Sequence, residues 1–160
     1  MSAPDRDENM PLLPRPFLFC LLMPLQALAH DSADIAGVWR SIDDQTGQPA
    51  ALVQIDASHG VYSGKVVRVL DPKVPPLCAL CPGERHNQPI LGMTILTGLR
   101  RMGDAFGGGE VLDPDSGMTY RAQARLVDAG AHLAVRGYIG LSLFGRSQLW
   151  ERTSVTPAKP

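Results

Sequence analysis

The sequence lacks an excess of charge of either sign. Its 160 residues include 15 lysines and arginines against 16 aspartates and glutamates. Nucleic-acid binding requires a basic surface that neutralises phosphates, and no basic cluster occurs here, so this class of function is not expected. After residue 30 the chain also has no apolar run long enough to span a bilayer as a helix, which excludes a helical membrane anchor in that part.

No catalytic motif is evident in the sequence. The glycine-x-serine-x-x-glycine spacing around Ser142 differs from the nucleophile elbow of hydrolases by one residue. The glycines of 107–109 follow no strand–helix fingerprint of a phosphate-binding loop. The aspartate pairs of "DDQTG" and "DPDSG" are interpreted as turn formers whose side chains accept hydrogen bonds from nearby amides. We therefore predict a protein that is not an enzyme and that holds no metal ion or cofactor.

The N-terminal segment predicts export. The apolar stretch that starts at Phe17 is too short for a stable membrane anchor, and it ends in Ala27-Leu28-Ala29, the small-x-small pattern that signal peptidase accepts. The first nine residues carry three acids, which is unusual for a secretion signal, so we expect translation to start at Met10. Cleavage after Ala29 predicts a periplasmic or secreted protein.

Cysteine is scarce, with three in the chain. Removal of the leader takes away Cys20, and an oxidising compartment then favours a disulfide between Cys78 and Cys81. Because the ring is small, it would contribute about 2 kcal/mol or less and would mainly fix a loop. The proline and glycine that follow are a poor start for the helix of a redox-active pair, and His86 is the one further metal ligand nearby. A redox or metal role stays as the alternative.

Short stretches of apolar and polar alternation follow from Ile35 onward, without a comparably clear helical periodicity. In residues 118–126, apolar positions from Met118 alternate with threonine, arginine and glutamine, which predicts a strand with one buried and one exposed face. Residues 132–139 alternate in the same way and place Ile139 on the apolar face. About eight such candidate strands occur along the chain.

The connections between these strands are short and contain glycine, as in "DPDSG" and "DAG", which is typical of hairpin turns between antiparallel neighbours. The predicted fold class is therefore all-β, a small antiparallel up-and-down β-barrel of about eight strands. We assign residues 1–29 to the leader, 30–34 to a short linker, 35–153 to one barrel domain and 154–160 to a flexible tail. The 131 residues after the leader suffice for one core.

The blocks "GVWRSIDDQTG", "YSGKVV", "CALCPG", "PILG", "GGGEVLDPDSGMTY", "LAVRGYIG" and "LFGRSQLWER" resemble, in this order, the exported bacterial family called domain of unknown function 2147. The resemblance covers nearly all of the chain after the leader. That family is similar to the lipocalins and fatty-acid-binding proteins, which implies a lipocalin-like or calycin-like barrel, but its biochemical function is not established. One departure is Phe106, where the family pattern has a tryptophan before the glycines.

The resemblance also implies a structural role for four residues. Gly37-Val38-Trp39 match the glycine-x-tryptophan signature of the first lipocalin strand, whose indole closes one end of the barrel beneath an arginine from near the end of the chain. Arg152 is the expected partner of Trp39, with Arg146 as the second candidate. Stacking of the guanidinium on a shielded indole would contribute about 2 kcal/mol.

The favoured function is a non-catalytic module that binds a small apolar or amphipathic ligand, or a component of the cell envelope, in or beside the barrel. If Arg136 and Tyr138 faced a cavity, they would form a recognition pair for a carboxylate or a similar anion. Trp39 and Tyr120 complete the predicted ligand site. The alternative is a structural envelope protein with a filled barrel and no ligand, and the third hypothesis is an enzyme that uses the cysteine pair.

Overall fold

The computed structural model describes residues 34–143 and 145–154. The predicted leader with its Met10 start and its cleavage site after Ala29 lies outside the described residues, as does the predicted tail beyond residue 154. No helix in the described part of the chain is long and apolar enough to cross a membrane.

Eight antiparallel strands form a closed barrel in which each strand pairs with its neighbours in sequence and the last strand pairs with the first. This confirms the predicted all-β, up-and-down architecture. Two short 3-10 turns, Gly83–Arg85 and Asp128–Gly130, are the helical elements of the described residues. The strands are β1 (Gly37–Ile42), β2 (Pro49–Ser58), β3 (Val61–Val69), β4 (Thr94–Met102), β5 (Ala105–Leu112), β6 (Thr119–Val127), β7 (His132–Tyr138) and β8 (Gly145–Thr153).

The side chains of β6 show why this sequence forms a barrel wall. Ala122 and Ala124 are buried, whereas the arginines and the glutamine between them are exposed, as the period-two pattern predicts. The predicted apolar faces were too long at two ends. Met118 is 48% exposed and Ile139 is 61% exposed. Both residues lie outside the strands. Met118 precedes β6 in a loop where the alternation no longer directs side chains inward, and Ile139 follows the last residue of β7.

Glycine allows the barrel to bend where β4 and β5 come close together. A Cβ atom on Gly109 would lie 2.3 Å from the carbonyl oxygen of Thr97, which is closer than non-bonded atoms approach. The pairing of β5 with β6 shifts register between Phe106 and Gly109. A glycine is therefore required at this bulge, where the strands curve tightly.

One end of the barrel is closed by aromatic side chains. Trp39 is fully buried, and its indole nitrogen donates a 2.8 Å hydrogen bond to the carbonyl oxygen of Ile35. Phe106 packs edge-to-face against Tyr62, with ring centroids 5.0 Å apart. Burial and the nearby carboxylate of Asp34 raise the pKa of Tyr62, so its hydroxyl stays neutral in this layer. Because this end is filled by side chains, a ligand-binding site is expected at the opposite end of the barrel.

Candidate functional site

The up-and-down connectivity brings every second loop to the same end of the barrel. The loops at the end opposite Trp39 are residues 43–48, 70–93 and 113–118, together with the β7–β8 connection. They surround a cavity of about 760 Å³, which is the size that a lipid-like or drug-sized molecule occupies. The barrel is therefore closed at one end and hollow at the other.

The cavity wall is apolar below the rim. The side chain of Trp150 is 2% exposed in the protein as a whole, and its indole nitrogen donates a 3.0 Å hydrogen bond to Gln148 Oε1, so the polar atom of the ring is satisfied. Burial of an apolar ligand body against this wall would be favourable by roughly 25 cal/mol for each Å² removed from water. The other aliphatic lining residues are Ala50, Ala51, Val66, Val69, Val74, Ile90, Ile95, Val111, Leu112, Val135 and Ile139.

The long loop of residues 70–93 supplies part of the wall and carries the disulfide. Cys78 and Cys81 are joined, as predicted, and both are almost fully buried. Asn87 donates a backbone hydrogen bond of 2.9 Å to the carbonyl of Cys78, which folds the loop back on itself. Val74 and Ile90 of this loop line the cavity. The disulfide therefore fixes a loop that shapes the candidate site.

The same loop packs tightly on the β5–β6 turn. Gly117 has a φ of +70°, and a Cβ atom there would lie 2.0 Å from the carbonyl oxygen of Leu80. Cys78 Sγ lies 3.2 Å from the carbonyl oxygen of Pro114. Only glycine tolerates both this backbone conformation and this approach, so the turn and the disulfide loop form one wall of the cavity.

The rim of the cavity is acidic. Asp43, Asp113 and Asp115 line it, and Arg146 is the one lysine or arginine among the described lining residues. The guanidinium of Arg146 is bonded to both carboxylate oxygens of Asp44. This bidentate pair lowers the pKa of Asp44. Because Asp44 neutralises Arg146, the charges of the other three aspartates remain uncompensated.

The surroundings of Asp43 and Asp115 shift the pKa values of their carboxyl groups in opposite directions. Hydrogen bonds from the backbone and the hydroxyl of Thr46 lower the pKa of Asp43. The pKa of Asp115 is raised above 3.8, first because its carboxylate is partly desolvated and then because the carboxylates of Asp113 and Asp43 repel it. Asp115 lies on an exposed turn, and none of the described residues donates a hydrogen bond to its carboxylate.

Two of the four residues predicted to bind ligand lie at this cavity. Tyr120 and Tyr138 line it, whereas Trp39 lies in the closed end and Arg136 is not among the lining residues. Leu133, Val135 and Gly137 take the inner face of β7, so Arg136 points outward. There its guanidinium donates to the carbonyl oxygens of Ser142 and Leu143, at 2.8 and 3.2 Å, and to Ser147 Oγ at 2.9 Å. The Arg136–Tyr138 pair for an anion is therefore not formed inside the cavity.

The structural residues also separate between the two ends. The guanidinium of Arg152 lies over the Trp39 ring, 4.3 Å from the ring centroid. Gly37 leaves room for this guanidinium, because a Cβ atom on Gly37 would lie 3.2 Å from Nη1 of Arg152. Arg146, the second candidate for this stack, lies instead at the opposite end with Asp44. The prediction of Arg146 as an alternative partner of Trp39 is corrected by its position at the start of β8, a full strand length from Arg152.

The sequence interpretation missed the aspartates of the rim as a group. Asp43 and Asp113 do form turns as predicted, since Asp43 accepts hydrogen bonds from the amides of Gln45 and Thr46, and Asp113 accepts one from Asp115. The order of the loops could have revealed this group. In an up-and-down barrel the first, third, fifth and seventh loops lie at one end. The motifs "DDQTG" and "DPDSG" form the first and the fifth loop, so they lie at the same mouth.

Comparison with known proteins supports the fold. Residues 37–152 match the model of a family described as an uncharacterized protein conserved in bacteria (DUF2147). A solved structure of protein HP1028 from the human pathogen Helicobacter pylori, described as belonging to the lipocalin family, is similar with a TM-score of 0.67 and 18% identity. The likeness covers 76% of this chain and 84% of that one. No curated protein matches the sequence. At this identity the structural likeness shows a lipocalin-like barrel and nothing about its ligand.

Proposed function

This chain belongs to the DUF2147 family of uncharacterized bacterial proteins, and we propose that it is a non-catalytic module that binds a small, partly apolar ligand in the open end of its barrel. The observation that carries the proposal is the cavity of about 760 Å³ with an apolar wall and a polar rim. Pockets of this size and chemistry bury most of a small ligand, while a few polar groups at the mouth orient it.

The cavity also weighs against a purely structural envelope protein with a filled barrel. In a filled barrel, side chains from opposite strands interdigitate and leave few voids larger than a water molecule. Here this holds at the closed end, where Trp39, Tyr62 and Phe106 pack together. The open end instead carries small side chains such as those of Ala50 and Ala51 in its wall, so the strands there enclose a cavity.

We further propose that the protein acts outside the cytoplasm, in the periplasm or after secretion. The disulfide supports this, since such bonds persist in oxidising compartments. The predicted leader supports it as well. Fractionation of the native bacterium, with the mature N-terminus sequenced, tests the proposal. Processed protein in the periplasm or medium would agree with it, and unprocessed protein in the cytoplasm would refute it.

A titration tests the binding function. A neutral apolar probe such as decanol should bind saturably to the purified protein and change the fluorescence of Trp150, because that indole lines the cavity. Trp39 provides a constant background from the other end of the barrel. Isothermal titration calorimetry should give the same stoichiometry of one ligand per chain.

A cavity-filling variant makes this test specific. Ala51→Phe places a large side chain in the cavity, because Ala51 lies on the inner face of β2 opposite Ser41. We expect binding to be lost while thermal stability is kept. Ala134→Phe is the matched control on the outer face of β7, between the buried Leu133 and Val135. If both variants bound decanol like the original protein, or if the original protein bound none, the barrel would not be a binding site.

A further inference from the structure

We infer that the ligand carries an aliphatic ammonium group, which the carboxylates of Asp43, Asp113 and Asp115 hold at the rim while the apolar body fills the cavity. This inference rests on the proposed function, because it assigns the chemical class of the ligand for that same cavity. It is opposite in sign to the carboxylate recognition that Arg136 and Tyr138 would have provided.

The first step is the charge that the rim leaves uncompensated. Asp43 accepts its hydrogen bonds from Gln45 and Thr46, and Asp113 accepts its bonds from the Asp115 amide and the Ser116 hydroxyl. All of these donors are neutral. They satisfy lone pairs without cancelling the negative charge, so three carboxylates face the cavity mouth as anions.

The second step is the state of the one guanidinium among the described lining residues. Arg146 binds both carboxylate oxygens of Asp44 in a planar fork, the geometry in which an arginine is fully engaged by one carboxylate. A ligand carboxylate would have to displace Asp44 and would also approach the three other aspartates. The rim therefore repels anionic head groups such as those of fatty acids.

The third step concerns the individual carboxylates. No hydrogen-bond donor or directly paired cation among the described residues reaches the side chain of Asp115, and the repulsion from Asp113, Asp43 and Asp71 outweighs the more distant attraction of Arg146. A bound cation would relieve this repulsion. The benefit is largest at a site that is partly desolvated, as this rim becomes when a ligand covers it.

The arrangement also distinguishes an organic cation from a metal ion. Within residues 34–143 and 145–154, no group of three or more histidine, cysteine, aspartate or glutamate side chains is close enough to hold a metal. The rim aspartates lie instead on two loops at the mouth, Asp43 on one and Asp113 and Asp115 on the other, with an apolar wall directly below them. Such a ring fits a bulky ammonium head on an apolar chain, which needs several diffuse contacts rather than tight chelation.

Three probes with the same decyl chain test the inference, namely decyltrimethylammonium, decanol and decanoate, each below its critical micelle concentration. We expect the ammonium compound to bind more tightly than decanoate by about tenfold or more at low salt, with decanol between them. The advantage of the cation should shrink as salt is added, while decanol binding should not weaken, because only charge interactions are screened.

A charge-removing variant locates the effect. Asp115→Asn should weaken decyltrimethylammonium binding by about three- to tenfold and leave decanol binding unchanged. Asp104→Asn is the matched control, since Asp104 lies in the exposed β4–β5 turn at the closed end. Both variants lose one negative charge, so an effect of net charge alone would appear in both and would overturn the assignment to the rim.

The outcomes separate this inference from the proposed function. If decanol binds and the cation and the anion bind equally, or the anion binds better, the ammonium inference is wrong and the binding function stands. If none of the three probes binds, the proposed function itself fails. Lysophosphatidylethanolamine is added to identify the source of the head group. Binding of this zwitterion at least as tight as that of decyltrimethylammonium indicates a lipid headgroup, and much weaker binding indicates a free amine without a neighbouring phosphate.

Discussion

Arg152 lies over the indole of Trp39, with its guanidinium carbon 4.3 Å from the ring centroid. The same guanidinium donates hydrogen bonds to the carbonyl oxygens of Gly130, Ala36 and Asp34, at 2.9, 3.2 and 2.6 Å. One side chain thus connects the last strand, the β6–β7 turn and the segment before the first strand. It covers the closed end of the barrel, at the opposite end from the cavity.

Replacing this arginine should destabilise the fold without affecting binding. Arg152→Met removes the stack and the three hydrogen bonds, and we expect the free energy of unfolding in urea to fall by about 2 kcal/mol. Arg125→Met is the control, because Arg125 is exposed on the outer face of β6. Its effect should stay within about 0.5 kcal/mol. Equal losses in the two variants would show that the stack contributes little.

The ion pair at the open end gives the opposite kind of prediction. Arg146→Gln frees the carboxylate of Asp44 and makes the rim more negative, so affinity for decyltrimethylammonium should rise by about two- to fivefold, as measured by calorimetry. Stability should fall by about 0.5 kcal/mol, since the pair is exposed. Arg40→Gln removes a comparable exposed pair with Glu151 and should leave the affinity unchanged. A lower affinity in Arg146→Gln would contradict the charge argument.

Gly117 and Gly103 separate backbone strain from close packing. Their φ angles are +70° and +69°, so alanine should strain both by a similar amount, about 1 kcal/mol. Only at Gly117 would the new Cβ atom collide with a neighbour, the carbonyl of Leu80. Gly117→Ala should therefore lose clearly more stability in thermal unfolding and should also weaken decanol binding, because the loop that shapes the cavity must move. Equal effects in both variants would argue against this packing.

The disulfide should matter more for the site than for the fold. Replacing Cys78 and Cys81 by serine should cost about 2 kcal/mol or less. We expect decanol affinity to fall several-fold, because Val74 and Ile90 of the same loop lose their fixed positions. In the intact protein both sulfurs are buried, so thiol titration should detect no free thiol in a mild glutathione buffer. If the disulfide were readily reduced under those conditions, the redox role of Cys78 and Cys81 would be the better hypothesis.

The fold could be predicted because each strand carries its own signal. In β6 and β7, buried and exposed side chains alternate along the sequence itself, so one strand at a time can be recognised. The disulfide was predictable for a similar reason, since its two partners are three positions apart. Met118 was assigned wrongly to the buried face because the apolar and polar alternation of the sequence extends beyond the paired residues of the strand.

The site was harder to predict because its residues meet only through the closed topology. Asp43 and Asp115 lie far apart in sequence, and each has a sufficient local explanation as part of a turn. Arg136 looked suitable as an anion ligand, but strand direction turns it outward, and one position along the strand decides between cavity and solvent. Tyr120 and Tyr138 do lie among the lining residues, whereas the charge of the rim could be read only once the loops were assembled.

The pH dependence of binding follows from the unequal pKa values at the rim. The pKa of Asp115 is raised above 3.8 and those of Asp43 and Asp44 are lowered, so as the pH falls toward 3.8 Asp115 is protonated while Asp43 and Asp44 stay ionised. The stabilisation from Asp44 is present above 3.8 and is lost only as the pH falls through its lowered pKa. The fold should therefore persist through the range in which Asp115 titrates.

In that range the affinity for decyltrimethylammonium should fall by about three- to tenfold as the pH decreases, because protonated Asp115 no longer attracts the cation. The groups that act on Asp115 are Asp113, Asp43 and Asp71, which repel its charge, and Arg146, which opposes them. The probe is permanently charged, so its own titration contributes nothing. Asp115→Asn should bind more weakly at neutral pH and should show a smaller fall over the same range. An affinity that stayed constant or rose as the pH decreased would show that Asp115 does not face the bound head group.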